Sequence, residues 1–100
     1  MKCIIASNRP LPIRYYAKQQ CFIRRGINCP TEVTLPFFVE VEIHSDYMFI
    51  MEYLNDITSQ YKQCDLQIYS TETSILEELC EIYSVTLRQE TSIRLEYSSE

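Results

Sequence analysis

Residues 33–61, VTLPFFVEVEIHSDYMFIMEYLNDITSQY, change their hydrophobic period in mid-run. Val33, Leu35, Phe37, Val39, Val41 and Ile43 alternate with Glu32, Thr34, Pro36, Phe38, Glu40, Glu42 and His44, the two-residue repeat of a half-buried strand. From Tyr47 the apolar residues return every third or fourth position, at Ile50, Tyr53, Leu54, Ile57 and Tyr61, the repeat of an amphipathic helix. A strand and a helix that each hide only one side must hide it against one another, so the chain is committed to two layers. Pro36 cannot donate to a ladder, which leaves residues 37–44 as the dependable strand, and Ser45 or Asp46 is placed to cap the helix.

The other segments are read against that unit. Residues 1–5 suit a short first strand, closed by Pro10 and Pro12. Residues 13–24 place Ile13, Tyr15, Ala17, Cys21 and Ile23 on alternate positions and predict one long half-buried strand; Pro12 at a first turn and Gly26 as a C-terminal cap make a helix the alternative. Residues 26–31 form a loop. Cys64, Leu66 and Ile68 mark a further strand, and Ser74 with Glu77 has capping-box spacing before a second helix carrying Ile75, Leu76, Leu79, Ile82 and Tyr83. The last strand, residues 91–97, turns Ile93, Leu95 and Tyr97 inward and Ser92, Arg94 and Glu96 outward.

The resulting order is ββαβαβ, with an N-terminal strand in addition. Each helix is expected to link parallel strands by a right-handed crossover, which leaves both helices on one face of a mixed four- to five-stranded sheet. The fold class is α+β, a two-layer sandwich, ferredoxin-like in general architecture but not in strict topology, because residues 62–73 leave room for one strand between the helices and not two. The polar outer positions of the strands predict an open sheet surface.

Charge is divided along the chain. Residues 1–31 hold Lys2, Arg9, Arg14, Lys18, Arg24 and Arg25 and no acid, +6; residues 32–100 hold fourteen acids against Lys62, Arg88 and Arg94, −11, for a total of −5. Antiparallel pairing of residues 13–24 with residues 32–44 about the 25–31 loop would set Arg24 opposite Glu32, Tyr16 opposite Glu40 and Arg14 opposite Glu42, neutralising part of this split across the ladder.

Little in the chain suits chemistry. Gly26 is the only glycine, so phosphate-cradling loops that depend on several glycines are excluded. The five cysteines, Cys3, Cys21, Cys29, Cys64 and Cys80, lack metal-ligand spacing and read as free, buried thiols of a reducing compartment; no metal and no cofactor is expected. His44, the one histidine, followed by Ser45 and Asp46, reads as a strand end and helix cap before it reads as an active site. Residues 1–5 are too short for a secretory signal and no apolar run approaches membrane-spanning length, so a cytoplasmic, single-domain protein over residues 1–100 is expected.

In size, acidity and glycine poverty the chain resembles the small accessory inhibitors of phages and mobile elements, anti-CRISPR proteins among them. That resemblance carries no residue over. It implies a non-enzymatic inhibitor or adaptor in the host cytoplasm, occluding a basic, nucleic-acid-handling surface of a host protein. The acidic candidates for such contact are Glu40, Glu42, Asp65, Glu77, Glu78 and Glu81. The alternative is single-stranded nucleic-acid binding by Arg14, Tyr16, Lys18, Arg24 and Arg25, disfavoured by the net negative charge. An unpaired sheet edge would also admit a homodimer.

Overall fold

The computed structural model describes residues 2–43, 48–83 and 92–98. His44, Ser45, Asp46 and Tyr47, and with them the cap and the active-site reading placed there, lie outside the described residues, as do the side chains of Ile93, Glu96 and Tyr97. Eight elements follow one another: β1 (Lys2–Ser7), β2 (Arg14–Tyr16), β3 (Cys21–Arg25), β4 (Phe37–Glu42), α1 (Met48–Gln60), β5 (Gln63–Ser70), α2 (Thr73–Tyr83) and β6 (Ser92–Ser98). The molecule is an α+β sandwich of one sheet and two helices. Its sheet has six strands in the order β2-β3-β4-β1-β5-β6, and every pair is antiparallel.

The mixed, four- to five-stranded sheet is therefore corrected. β4 and β5 do run parallel to each other across α1, but β1 lies between them and is antiparallel to both. After α2 the chain returns beside β5 in the antiparallel sense. The minor first strand of the sequence reading is in fact the central one. CIIA is an unbroken apolar run because β1 is covered on both faces, with Cys3, Ile5 and Ala6 all but inaccessible.

One face of the sheet carries the helices. Ile5 stands opposite Val39 and Ile68, and Cys3 opposite Val41 and Ser70, so these side chains share a side with Ile23, Cys64 and Leu66. Phe49, Ile50, Tyr53, Leu54 and Ile57 of α1 and Ile75, Leu76 and Leu79 of α2 close over them in one core, joined by Leu95 of β6. Ile82, expected on that stripe, is 48% exposed. Helix α2 begins at Thr73, which puts Ser74 inside the first turn and not at the cap.

Residues 13–24 are neither a long strand nor a helix. They fold into a hairpin, β2 against β3, through a turn at residues 17–20 in which the Gln20 N–H donates to Ala17 O at 3.3 Å and Gln20 takes φ 53°. A hairpin inverts parity, since Tyr16 pairs with Cys21 and Tyr15 with Phe22. Ile13 and Tyr15, expected inside, are accordingly exposed, and Tyr16 turns in to pack on Phe49 at a ring separation of 5.5 Å.

The β3–β4 register also differs from expectation. Arg24 faces Glu40, eight residues beyond the Glu32 of the sequence reading, because residues 26–36 leave the sheet altogether. An eight-residue shift is even, so the inward face of β4 is unaffected. The excursion crosses the second face of the sheet as a strap. There Val33 and Leu35, read as helix-side core, pack instead with Ile4, Ala6, Phe38 and Tyr69. Gln67, buried, latches the strap: its side-chain nitrogen donates to Glu32 O at 2.7 Å and its oxygen accepts from the Thr34 N–H at 3.0 Å. Gly26 begins this crossing with the Phe38 ring so close that a Cβ would collide with it.

Candidate functional site

The strap divides the second face into a closed half and an open half. The closed half, over Ala6, Phe38 and Gln67, removes part of the open surface expected of it. In the open half two rows cross the sheet: Arg24 beside Glu40, Ile4 and Tyr69, and Tyr15 beside Phe22, with Lys2 opposite Glu42. Tyr15 and Phe22 are each about half exposed and touch, with ring centroids 4.4 Å apart. Arg24 stands between the two acids, its Nε 3.8 Å from Glu40 and its terminal nitrogen 3.8 Å from Glu42. At such distances and with Arg24 half exposed, the pairs neutralise charge more than they add stability.

The acidic candidates do not form one surface. Glu40 and Glu42 sit in the open half with Arg24 and Lys2 beside them. Asp65 lies on β5 toward the other end of the sheet, where its N–H donates to Asn8 Oδ1 at 2.9 Å and its carbonyl accepts from Ser7 Oγ at 2.7 Å. Glu77, Glu78 and Glu81 are exposed on α2, on the opposite layer of the molecule. The six acids thus lie in three places: beside Arg24, at the Asn8 end of β5 and on α2. A further pair missed in the sequence reading, Glu52 and Asp56, is exposed on α1. With them the helix layer displays five carboxylates, and neither helix contains a Lys or Arg. That grouping was legible in principle, since all five positions avoid the buried stripes of their helices.

The basic candidates also separate. Tyr16 cannot offer its ring to a base: it is packed against Phe49, its hydroxyl is buried without a partner, and its pKa is raised by burial first and then by Asp56 and Glu52, against a smaller opposing effect of Arg14. Tyr15 takes its place at the surface. Arg14 pairs in register with Ile23, on the helix side, and Arg25 with Val39, also on the helix side, whereas Tyr15, Phe22 and Arg24 belong to the other face. Lys18 is exposed in the turn. Of the residues on which the nucleic-acid alternative rested, Arg14, Tyr16 and Arg25 thus lie on the helix side, and only Arg24 shares the open face with exposed rings, Tyr15 and Phe22.

Five cysteines are free. Cys29, expected to be buried, is exposed in the strap, and its thiol faces Pro30 O at 3.6 Å and Val33 O at 3.9 Å. Burial pushes the Cys3 thiol up to about 12 and raises Cys64 and Cys80, the latter two also feeling Asp65 and Glu77. These shifts run opposite to those of an activated nucleophile. Among the described residues no group of three or more metal-ligating side chains occurs and no helix is long and apolar enough to cross a membrane. The chain matches no known protein family, curated protein or solved structure.

Proposed function

We propose that this chain is a non-enzymatic protein-binding module, an inhibitor or adaptor that occludes a basic surface of its partner with the helix layer. The observation that carries the reading is the composition of that layer: Glu52, Asp56, Glu77, Glu78 and Glu81 are all exposed, and no cation lies on either helix. Glu40 and Glu42, by contrast, have Arg24 within 3.8 Å, so a basic partner would find their charge already answered. Exposed Ile82 beside Glu78 and Glu81 adds the apolar contact that a charged rim needs at its centre.

Two charge reversals test this. Glu77→Lys/Glu78→Lys/Glu81→Lys should abolish capture of the partner from a native lysate while leaving the melting curve nearly unchanged, and Glu40→Lys/Glu42→Lys should leave capture intact. Capture that survives reversal of the helix layer, or that depends on Glu40 and Glu42 instead, overturns the reading.

A further inference from the structure

The open half of the second face holds a knob and a hole. The knob is Phe22, 54% exposed, steadied by Tyr15 at 4.4 Å. The hole is a pocket of about 120 Å³ lined by Lys2, Cys3, Ile4, Glu40, Tyr69 and Thr71, open to solvent on the same side of the sheet. For scale, an apolar cavity of about 150 Å³ accommodates a benzene molecule, so the pocket is of the size that receives one aromatic ring. Apolar Ile4 and the ring of Tyr69 form its sides, and Lys2 and Glu40 bring opposite charges to its lining.

We infer that this half-face is an isologous dimer interface, in which Phe22 of each copy enters the Lys2–Tyr69 pocket of a second copy of this chain. The geometry required is a self-complementary patch, with knob and hole side by side so that a two-fold axis exchanges them. Phe22 on β3 and Lys2 on β1 are separated by β4 alone, two strand spacings or about 10 Å, and Lys2 stands at the level of Glu42. The axis then passes near β4. The charge is self-complementary as well: the patch holds Lys2 and Arg24 against Glu40 and Glu42, no net charge, and the loosely held Arg24 can exchange its own carboxylates for those of the other copy. A neutral patch of mixed sign suits its own image better than it suits a strongly basic or acidic partner. Pairing through the free edge of β2 is less favourable, because that strand is only three residues long and offers few ladder hydrogen bonds.

Sedimentation equilibrium over micromolar to millimolar concentration reads the association directly. The wild type should form a dimer and no larger species; Phe22→Glu, which removes the knob, and Thr71→Trp, which fills the hole, should each raise the dimer dissociation constant at least about tenfold. Both positions are exposed, so circular dichroism and melting should match the wild type. Mixing the two variants restores one of the two contacts, a Phe22 from the Thr71→Trp chain entering the intact pocket of the Phe22→Glu chain, and should yield a heterodimer weaker than the wild-type dimer. A wild type that stays monomeric at millimolar concentration overturns the inference, even where a free aromatic peptide binds the pocket. It is equally overturned by a dimer that persists in Phe22→Glu, or by one lost in Phe22→Glu but intact in Thr71→Trp.

Discussion

The two faces of the sheet are covered in different ways. The helix side is closed by side chains from α1, α2 and five strands that are almost wholly apolar, in one cluster with twenty buried members among the described residues. On the strap side the buried cluster has three members, Ile4, Ala6 and Val33, and its cover is fastened by a glutamine with hydrogen bonds to backbone. Burial of apolar area is non-directional and accumulates, whereas a hydrogen-bonded latch works only in one geometry. The helix side therefore holds the fold, and the strap side decides how much of the sheet remains available for contact.

Substitutions on each side and a change of pH would break or sharpen that contrast, beginning with the largest effect. Phe49→Ala, at a fully buried position that also supports Tyr16, should cost about 3 to 5 kcal/mol in urea unfolding, a large part of the stability of a domain this size. Val33→Ala, in the strap itself, should cost only about 1.5 kcal/mol; equal losses at the two sites would erase the distinction.

Next comes alkaline pH. Cys3, facing the helices, keeps its proton up to about 12 in the folded state against 9 for an unburied thiol. A group with a raised folded pKa contributes fully below its unfolded value, so stability should hold to pH 9 and then fall toward pH 12, by on the order of 1 kcal/mol per pH unit. Buried Tyr53, whose hydroxyl donates to Pro12 O at 2.7 Å and whose pKa is raised by burial, adds to the loss above pH 10. Unfolding midpoints measured at pH 7, 9 and 10.5 should fall less steeply in Cys3→Ala.

The smallest effect belongs to the latch. Gln67→Ala removes the bonds to Glu32 O and the Thr34 N–H, groups of exposed residues that water can reach, and should cost about 1 kcal/mol, with faster amide exchange at Thr34 and unchanged exchange in α1. Exchange that rises equally in α1 would mean that strap and helices open together, as one unit.

Much of the fold could be read in advance, and the reasons are local. β4, α1, β5 and α2 lie where period-two and period-3.6 patterns placed them, and the inward positions Val39, Val41, Tyr53, Leu54, Leu66 and Leu76 are buried. Where the reading failed, one period continued across a feature it could not register. The hairpin turn at residues 17–20 sits at a left-handed Gln20, a conformation usually marked by glycine or asparagine, so nothing in the alternation of residues 13–24 announced the reversal that exchanged Tyr15 for Tyr16 at the surface. Val33 and Leu35 kept the parity of β4 while belonging to a segment that had already left the sheet. Of the candidate site, the acidity of α2 was legible because exposure on a helix follows from its apolar stripe, and strand parity put Glu40 and Glu42 on the face away from the helices; that Arg24 stands between those two acids was not legible.

Within β4, α1, β5 and α2 the sequence by itself determined nearly every residue that faces the core, because side-chain direction within one element follows from backbone periodicity alone; across the unannounced turns at residues 17–20 and 26–36 it did not. It also determined the charge of each segment. Only the tertiary structure decided that β1 is central, that Arg24 meets Glu40 and Glu42, and that residues 26–36 leave the sheet to cross its second face. Strand order and register depend on contacts between residues far apart in the chain, and no local pattern encodes them.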